Sequence, residues 1–227
     1  MNKKAFIFDL DGVIVDTAKY HFTAWKKLAN SIGVDFTEEQ NEQLKGVSRV
    51  QSLEKILDWA DIELTKDRFM ELIARKNGDY LRYINEMDAS EILPGVPEIL
   101  DYLITCHQPI ALGSASKNAR MILQKVQRYN SFDAVVDGTD VSKAKPDPEV
   151  FLKAADLLKA KPEECVVFED SIAGIQAANI ANMIAVGIGE KKILHEADFV
   201  FKNFTEITPG IIDELILKEV KVTTQLK

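Results

Sequence analysis

The chain has 227 residues, of which 46% are hydrophobic, and its formal net charge at pH 7 is −8. This length and apolar content can bury a sizeable core, whereas no apolar run reaches the roughly 18 residues that a membrane span needs. The acidic balance argues against nucleic acid as a partner, because nucleic-acid phosphates are bound by basic surfaces.

The first apolar segment, Ala5–Phe8, is followed at once by Asp9 and Asp11, which interrupt it too early for a signal peptide. We therefore expect a cytoplasmic protein without a membrane partner. The two cysteines, Cys106 and Cys165, lack metal-ligand spacing and lie among apolar residues. We expect both thiols to be buried and reduced.

Short apolar segments rich in β-branched residues alternate with amphipathic segments of helical length, which is typical of a doubly wound, mainly parallel α/β sheet. The predicted strands are Ala5–Phe8, Pro109–Leu112, Ala134–Val136, Cys165–Phe168, Met183–Val186 and Phe199–Phe201. The predicted helices between them are Val96–Cys106, Asn118–Gln127, Pro148–Leu158 and Ser171–Ile180.

From about Ala18 to Met87 the periodicity is helical only, so an all-helical block interrupts the α/β alternation after the first strand. We predict two domains: an α/β core of residues 1–16 and 92–227, and a helical cap with its linkers at residues 17–91. Such a cap can open and close over the carboxyl ends of the strands, where open α/β sheets bind ligands.

The sharpest motif is Asp9-Leu10-Asp11-Gly12, directly after the first strand. Two carboxylates this close repel each other, so either a cation binds between them or one is protonated. An acidic surface turn is the structural alternative. A calcium loop fits less well, because the further acidic ligands of an EF-hand are missing.

Three further motifs follow predicted strands: Ser114 with its neighbouring residues, Lys145 before Pro146, and Glu169-Asp170. Each alone is also explained by an ordinary turn, surface lysine or helix cap. Lys145 is preferred to Lys143 because a residue before proline is extended, and Lys143 is the alternative. Together these motifs supply a hydroxyl, a cation and an acidic pair at one edge of the sheet.

This set suits phosphoryl transfer, where catalysis consists mostly of positioning and charge compensation. Asp9 is the predicted nucleophile, Asp11 the general acid and base, and Ser114 and Lys145 the groups that hold phosphate oxygens. We predict a Mg²⁺ site built from oxygen ligands. Its predicted ligands are Asp9, Asp11, Glu169 and Asp170.

These four motifs resemble those of the haloacid dehalogenase superfamily, and the resemblance covers essentially the whole chain. It implies a Rossmann-like core with an inserted cap. The acid at the second position, Asp11, resembles the phosphatase and mutase branches, whereas dehalogenases lack it. Dehalogenation is therefore not expected.

The cap resembles the β-phosphoglucomutase family in two segments, one from Tyr20 to Trp25 and the other from Lys45 to Arg49, and the core does so from Ser114 to Asn118. The resemblance implies that Thr17 holds Asp11 away until the cap closes, and that His21 and Lys76 couple closure to binding. Without the resemblance, we would interpret His21 as a core histidine, the segment from Lys45 to Arg49 as a solvated turn, and Lys76 as a snorkelling lysine. The substrate-binding residues implied are Trp25, Lys45, Gly46, Val47, Ser48, Arg49, Ser52, Lys76, Ala115, Ser116, Lys117 and Asn118.

A mutase must hold a bisphosphate in two orientations and so needs a second set of phosphate donors. The resemblance implies that Arg49, Ser116, Lys117 and Asn118, here called the distal phosphate site, bind the phosphate that is not being transferred. Of these, Arg49, Lys117 and Asn118 exceed what a simple phosphatase requires, and arginine can bind phosphate through two parallel hydrogen bonds. We expect conversion of β-glucose 1-phosphate to glucose 6-phosphate, with glucose 1,6-bisphosphate as intermediate and activator, by a monomer. The alternative is a sugar-phosphate phosphatase.

Overall fold

The computed structural model describes residues 3–45 and 47–218. Within these residues, six parallel strands form one sheet in the order β3-β2-β1-β4-β5-β6. The strands are β1 (Ala5–Phe8), β2 (Ile110–Gly113), β3 (Ala134–Val136), β4 (Cys165–Glu169), β5 (Ile184–Ile188) and β6 (Phe199–Phe201).

Helices cover both faces of this sheet, and further helices lie between β1 and β2. The cap-region helices are α1 (Ala18–Asn30), α2 (Glu38–Glu42), α3 (Arg49–Trp59) and α4 (Lys66–Asn85). The core helices are α5 (Val96–Thr105), α6 (Ala119–Lys125), α7 (Glu149–Leu157), α8 (Ile172–Ile180) and α9 (Pro209–Leu217). The predicted doubly wound fold is confirmed.

Strand β1 shows why the sequences of the central strands are continuously apolar. Phe6 and Phe8 point into the apolar cluster beneath α5, α6 and α9, whereas Ile7 points into the cluster beneath α7 and α8. Successive side chains alternate between faces, and both faces of this sheet are covered by helices, so every residue of β1 is buried.

The helices between β1 and β2 have an apolar cluster of their own. Trp25 and Leu28 of α1 pack with Leu53 and Ile56 of α3 and with Leu72 of α4. This cluster is distinct from the two that flank the sheet. The helical block therefore buries much of its apolar surface internally, while Ala24, Tyr80 and Ile84 pack into the cluster on one face of the sheet.

The two segments that connect this block to the sheet run side by side. The Asp16 amide donates to the Glu91 carbonyl at 3.0 Å, and the Leu93 amide donates to the Ile14 carbonyl at 3.0 Å. Val15 and Ile92 form an antiparallel bridge between them. The chain thus enters and leaves the helical block through one hydrogen-bonded ribbon.

Several predicted element ends move by one or two residues. Strand β5 continues past the predicted end at Val186, because Gly187 and Ile188 pair with Val200 and Phe201 of β6. Cys165 is a buried free thiol as predicted, but Cys106, at the end of α5, is only partly buried. Over the described residues, no helix has the length and apolar character required to span a membrane.

Candidate active site

The chemistry-bearing residues converge because parallel strands end at one edge of the sheet. Asp9 follows β1, Ser114 follows β2 and Glu169 ends β4, and these three strands are neighbours in the sheet, in the order β2-β1-β4. The chain leaves β1 toward β2 on one side and later returns to β4 on the other. This is the switch point of the sheet, where open α/β folds bind ligands.

Lys145 lies between two buried carboxylates. Its Nζ is 2.5 Å from Asp9 Oδ1 and 2.6 Å from Glu169 Oε1, and it also donates to the Gly113 carbonyl at 3.2 Å. The lysine itself is 1% exposed and its ammonium lies 4.6 Å from the centre of the Phe151 ring. One buried ammonium therefore forms ion pairs with two carboxylates.

The electrostatics of this group follow from burial. Burial alone lowers the pKa of Lys145, but the carboxylates of Asp9 and Glu169 raise it above the ordinary lysine value. Burial raises the pKa of Asp9 well above its ordinary value, Lys145 opposes that rise, and Glu169 and Asp11 add to it. The site therefore carries more buried negative charge than Lys145 alone compensates.

Lys145, rather than the alternative Lys143, reaches Asp9. Lys143 is exposed and its Nζ pairs with Asp147 at 3.2 Å. The loop is anchored by Glu149, whose Oε2 accepts hydrogen bonds from the amides of Ser142 and Lys143 at 2.9 and 2.8 Å. This anchor at the start of α7 fixes the path of the chain just before Lys145.

The Asp11 carboxylate contacts the first residue of the cap region. Its Oδ1 accepts a short hydrogen bond from Thr17 Oγ1 and lies 3.9 Å from His21 Nε2. Burial raises the pKa of Asp11, and the hydrogen bond from Thr17 lowers it in part. Such a carboxyl is suited to gain and lose a proton.

His21 and Lys76 bond to each other, with Lys76 Nζ 2.9 Å from His21 Nδ1. The ammonium has no acceptor atom, so His21 Nδ1 accepts and neutral His21 carries its proton on Nε2. Burial lowers the pKa of His21 well below its ordinary value, and the cations of Lys76 and Arg49 lower it further. The buried Nε2 has no hydrogen-bond partner among the described residues.

Lys76 is 1% exposed, so it does not snorkel to solvent. Its ammonium lies 4.6 Å from the Trp25 ring and 4.7 Å from the Tyr80 ring. Burial lowers the pKa of Lys76 well below its ordinary value, with the cation of Arg49 acting in the same direction. Cation–aromatic contacts replace the carboxylate that a buried lysine would normally have.

Asp170 connects the core to the cap-region loop. Its Oδ2 lies 3.3 Å from Lys45 Nζ, and burial raises the pKa of the carboxyl to about 7. The carboxyl packs onto the Asp9–Gly12 turn so closely that a Cβ on Gly12 would lie 2.2 Å from Asp170 Oδ2. Glycine at position 12 also permits the left-handed backbone there, with φ of 82°.

Among the described residues, no three acidic, histidine or cysteine side chains come close enough together to form a ready metal cage. Lys145 separates Asp9 from Glu169, whose second oxygen accepts from the amide and hydroxyl of Ser171 at 2.8 Å. The donor set still fits a hard cation, because buried carboxylates of raised pKa crowd one edge of the sheet.

A cavity of about 700 Å³ opens between the sheet edge and the cap-region helices. The predicted site residues that line it are Asp9, Asp11, His21, Trp25, Lys45, Val47, Ser48, Arg49, Ser52, Lys76, Ala115, Ser116, Lys117, Lys145 and Asp170. Thr17, Ser114 and Glu169 lie behind this lining and are almost fully buried. Gly46 lies outside the described residues.

Asn118 is part of a contact between the core and the cap region. Its Nδ2 is 3.5 Å from Asn77 Oδ1 on α4. The sequence did not indicate a functional position for Asn77 or for Tyr80. The buried hydroxyl of Tyr80 has no hydrogen-bond partner within the described residues. Tyr80 lies on the apolar stripe one turn beyond Lys76, a spacing that marks it as core and gives no sign of its place beside the cavity.

Comparison with known proteins agrees with this geometry. Residues 3–182 match the model of the haloacid dehalogenase-like hydrolase family. The chain is 43% identical over 213 residues to the β-phosphoglucomutase of Bacillus subtilis, covering 93% of this chain and 94% of that one. It is 31% identical over 205 residues to a phosphorylated carbohydrates phosphatase of Thermotoga maritima, covering 87% and 92% of the two chains.

Among solved structures, a β-phosphoglucomutase from Clostridium difficile superposes with a TM-score of 0.90 at 38% identity. That match covers 95% of this chain and 97% of the other. The family model gives the family, and the relative of 43% identity and this structural neighbour are both β-phosphoglucomutases, whereas the phosphatase is less similar. The chain belongs to the haloacid dehalogenase-like hydrolase family and, within it, to the β-phosphoglucomutases.

Proposed function

We propose that this chain is a β-phosphoglucomutase that interconverts β-glucose 1-phosphate and glucose 6-phosphate through β-glucose 1,6-bisphosphate. The main observation that supports this proposal is that Arg49 and Lys117 line the same cavity as Asp9. Neither cation forms a salt bridge with a carboxylate among the described residues. In a chain of net charge −8, two cations without carboxylate partners at one cavity favour an anionic ligand group there.

The cavity then holds a bisphosphate between two groups of residues. Asp9, Ser114 and Lys145 take the phosphoryl group that is transferred, and the distal phosphate site takes the other. Rotation of the sugar between the two half-reactions exchanges its phosphates. Residues 17–91 act as the cap, and closure of that cap excludes the water that would hydrolyse a phosphorylated Asp9.

In the first half-reaction, the 6-hydroxyl of β-glucose 1-phosphate attacks the phosphorus of phosphorylated Asp9, Asp11 takes the hydroxyl proton, and the bond from phosphorus to Asp9 breaks. This gives the bisphosphate and free Asp9. In the second, after the bisphosphate has rotated, a carboxylate oxygen of Asp9 attacks its 1-phosphate, the bond from phosphorus to the sugar oxygen breaks, and Asp11 gives its proton to that departing oxygen. Asp11 must leave Thr17 to do this, so the Thr17–Asp11 hydrogen bond keeps the acid away from Asp9 until the cap moves.

Asp9 and Asp170 would hold Mg²⁺, with Asp11 and Glu169 beside them. When bound, the ion supplies positive charge against the oxygens of the transferred phosphoryl group. Lys145 compensates the same oxygens from the side of Glu169, which orients it at 2.6 Å. Lys145 also keeps Asp9 ionised as a nucleophile, because its ammonium opposes the effect of burial on the pKa of Asp9.

The first experiment incubates the protein with Mg²⁺, β-glucose 1-phosphate and a trace of glucose 1,6-bisphosphate, and measures glucose 6-phosphate and free phosphate together. Glucose 6-phosphate in large excess over free phosphate is the expected result. Free phosphate without glucose 6-phosphate would identify a sugar-phosphate phosphatase instead. Asp9→Asn keeps the shape but removes the charge, and substantial turnover in that variant would contradict the nucleophile assignment.

A further inference from the structure

Arg120 bridges two aspartates on a neighbouring loop. It lies in the first turn of α6, directly after the predicted phosphate-binding segment that ends at Asn118. Its Nη1 forms a short ion pair with Asp137, and its Nη2 lies 2.8 Å from Asp140 Oδ2 and 2.9 Å from the Val135 carbonyl. One planar guanidinium therefore ties the start of α6 to the turn that follows β3.

That turn, residues 137–140, is closed by its own hydrogen bonds. Asp137 Oδ1 accepts from the Thr139 amide at 2.7 Å, and Asp140 Oδ2 accepts from the Asp137 amide at 2.8 Å. Asp137 is 2% exposed. A buried carboxylate is costly unless it is paired, so Arg120 is the charge that allows this turn to form.

The same turn supports the loop of the distal phosphate site. The Gly138 amide donates to the Ser116 carbonyl at 3.2 Å. The two loops approach so closely that a Cβ on Gly138 would lie 2.3 Å from the Ala115 carbonyl oxygen. Movement of the 137–140 turn would therefore displace Ser116 and the adjacent Lys117.

A cation in the first turn of a helix opposes the helix dipole. Arg120 occupies that unfavourable position at the start of α6, where an acidic residue would stabilise the helix end. The two aspartates offset this cost. Local helix stability does not explain an arginine at position 120, whereas its ion pairs with Asp137 and Asp140 do.

The position of Lys145 is fixed by contacts that do not involve Arg120. Glu149 holds Ser142 and Lys143 just before it, and Asp9 and Glu169 bind its ammonium. The contacts of Arg120 all lie on the other side of Val141. Lys153 connects the two regions, because it donates to the Asp140 carbonyl at 2.5 Å and pairs with Glu149 Oε1 at 2.7 Å. The charged groups that hold them are nevertheless different, Arg120 for the distal phosphate site and Glu149 for the segment before Lys145.

We propose that Arg120, through Asp137 and Asp140, is a positioning residue for the distal phosphate site. The inference rests on the proposed function, since it assigns to Arg120 the geometry that the second phosphate of a bisphosphate requires. Hydrolysis of a small aryl phosphate needs Asp9, Ser114 and Lys145 but no distal phosphate, and the Ser114 backbone is fixed separately by its hydrogen bond to the Val136 carbonyl at 3.0 Å. Loss of Arg120 therefore separates the two reactions.

The test compares Arg120→Ala, Arg120→Lys and the control Arg128→Ala for mutase turnover and for hydrolysis of p-nitrophenyl phosphate. Arg128 pairs with Asp101 at 3.1 Å and faces a groove that shares no lining residue with the active-site cavity. We expect Arg120→Ala to raise the KM for β-glucose 1-phosphate about tenfold, as loss of one charged anchor does. Its aryl phosphate hydrolysis should stay within about twofold of the starting protein.

Arg120→Lys should recover only part of the loss, because lysine cannot bridge two carboxylates with a planar fork. Arg128→Ala should match the starting protein in both assays. Equal losses in both reactions for Arg120→Ala, or no loss in either, would overturn the inference. If Arg120→Ala does not fold, Asp140→Asn removes only the partly exposed arm of the bridge and is held to the same criterion.

A failure of the proposed function gives a different result. The starting protein would then release phosphate from β-glucose 1-phosphate without forming glucose 6-phosphate. In that case the KM for glucose 1,6-bisphosphate relative to the aryl phosphate still tests Arg120, because only the bisphosphate brings a second phosphate. A selective rise supports the positioning role, and a parallel change in both KM values refutes it.

Discussion

Lys145→Met is the most informative single change, because it removes the ammonium shared by two buried carboxylates and keeps much of the side-chain volume. Asp9 loses its partner at 2.5 Å, Glu169 its partner at 2.6 Å and the Gly113 carbonyl its donor at 3.2 Å. Removing one partner of a buried ion pair costs about 3–5 kcal/mol of unfolding free energy. We expect a loss of this size at pH 7.5 without added metal.

The loss should depend on pH in a direction set by the carboxyls. Without Lys145, the folded-state pKa of Asp9 rises further above its unfolded value, since burial already raises it. A raised folded pKa contributes stability that is complete below the unfolded value of about 4 and is lost as pH rises. The penalty of Lys145→Met should therefore be largest at pH 7.5 and shrink toward pH 5.

Urea unfolding followed by circular dichroism at both pH values, in the presence of a chelator, measures this penalty. Lys143→Met is the matched control, since the same residue type two positions away is exposed and pairs only with Asp147. Its urea midpoint should stay close to that of the starting protein. A penalty for Lys145→Met that is equal at pH 5 and pH 7.5 would refute the argument, because it would then reflect lost packing and not charge.

Three further predictions concern the carboxyl cluster, the first turn and the distal phosphate site. Asp170→Asn should raise metal-free stability at pH 7.5 by about 1–3 kcal/mol, since the pKa of Asp170 is raised to about 7, and Mg²⁺ should then no longer raise the urea midpoint. Gly12→Ala should abolish activity and lower the free energy of unfolding more than Gly33→Ala does. Gly33 has a similar φ of 81°, but a Cβ there would have no atom within 4 Å. Equal losses of stability in the two variants would refute the close contact between Gly12 and Asp170. Arg49→Ala should lower mutase turnover at least about tenfold more than hydrolysis of a small aryl phosphate, and equal losses in the two assays would argue against a distal phosphate site.

The sequence predicted the sheet-edge residues well because their signals are local. Asp9, Ser114 and Glu169 each follow or end a short apolar strand, and parallel strands bring such positions together whatever the details of packing. Lys145 was separable from Lys143 for a similarly local reason, the proline that follows it. The strand ends were less certain, as β5 shows, since Gly187 reads as a breaker until its pairing with β6 is known.

Contacts between distant segments were not predictable in the same way. Lys45 was expected to bind substrate, and nothing local shows that its ammonium lies 3.3 Å from Asp170. Arg120 reads as an ordinary helical arginine, because its partners belong to a turn after another strand. Tyr80 and Asn77 carry no signal beyond helical periodicity. These residues depend on how the cap-region helices and loops meet the sheet, which no short motif encodes.

The paired ribbon of Asp16, Glu91, Ile14 and Leu93 has a consequence for how the chain accommodates so large an insertion. The inserted segment begins and ends at hydrogen-bonded neighbours, so its ends are already together whatever lies between them. Loop-closure entropy grows only slowly with loop length, and the helices within the insertion stabilise themselves through their own apolar cluster. Residues can therefore be added within the insertion at little entropic cost to the sheet, whereas its shape is restricted where Ala24, Tyr80 and Ile84 pack into the cluster on one face of the sheet.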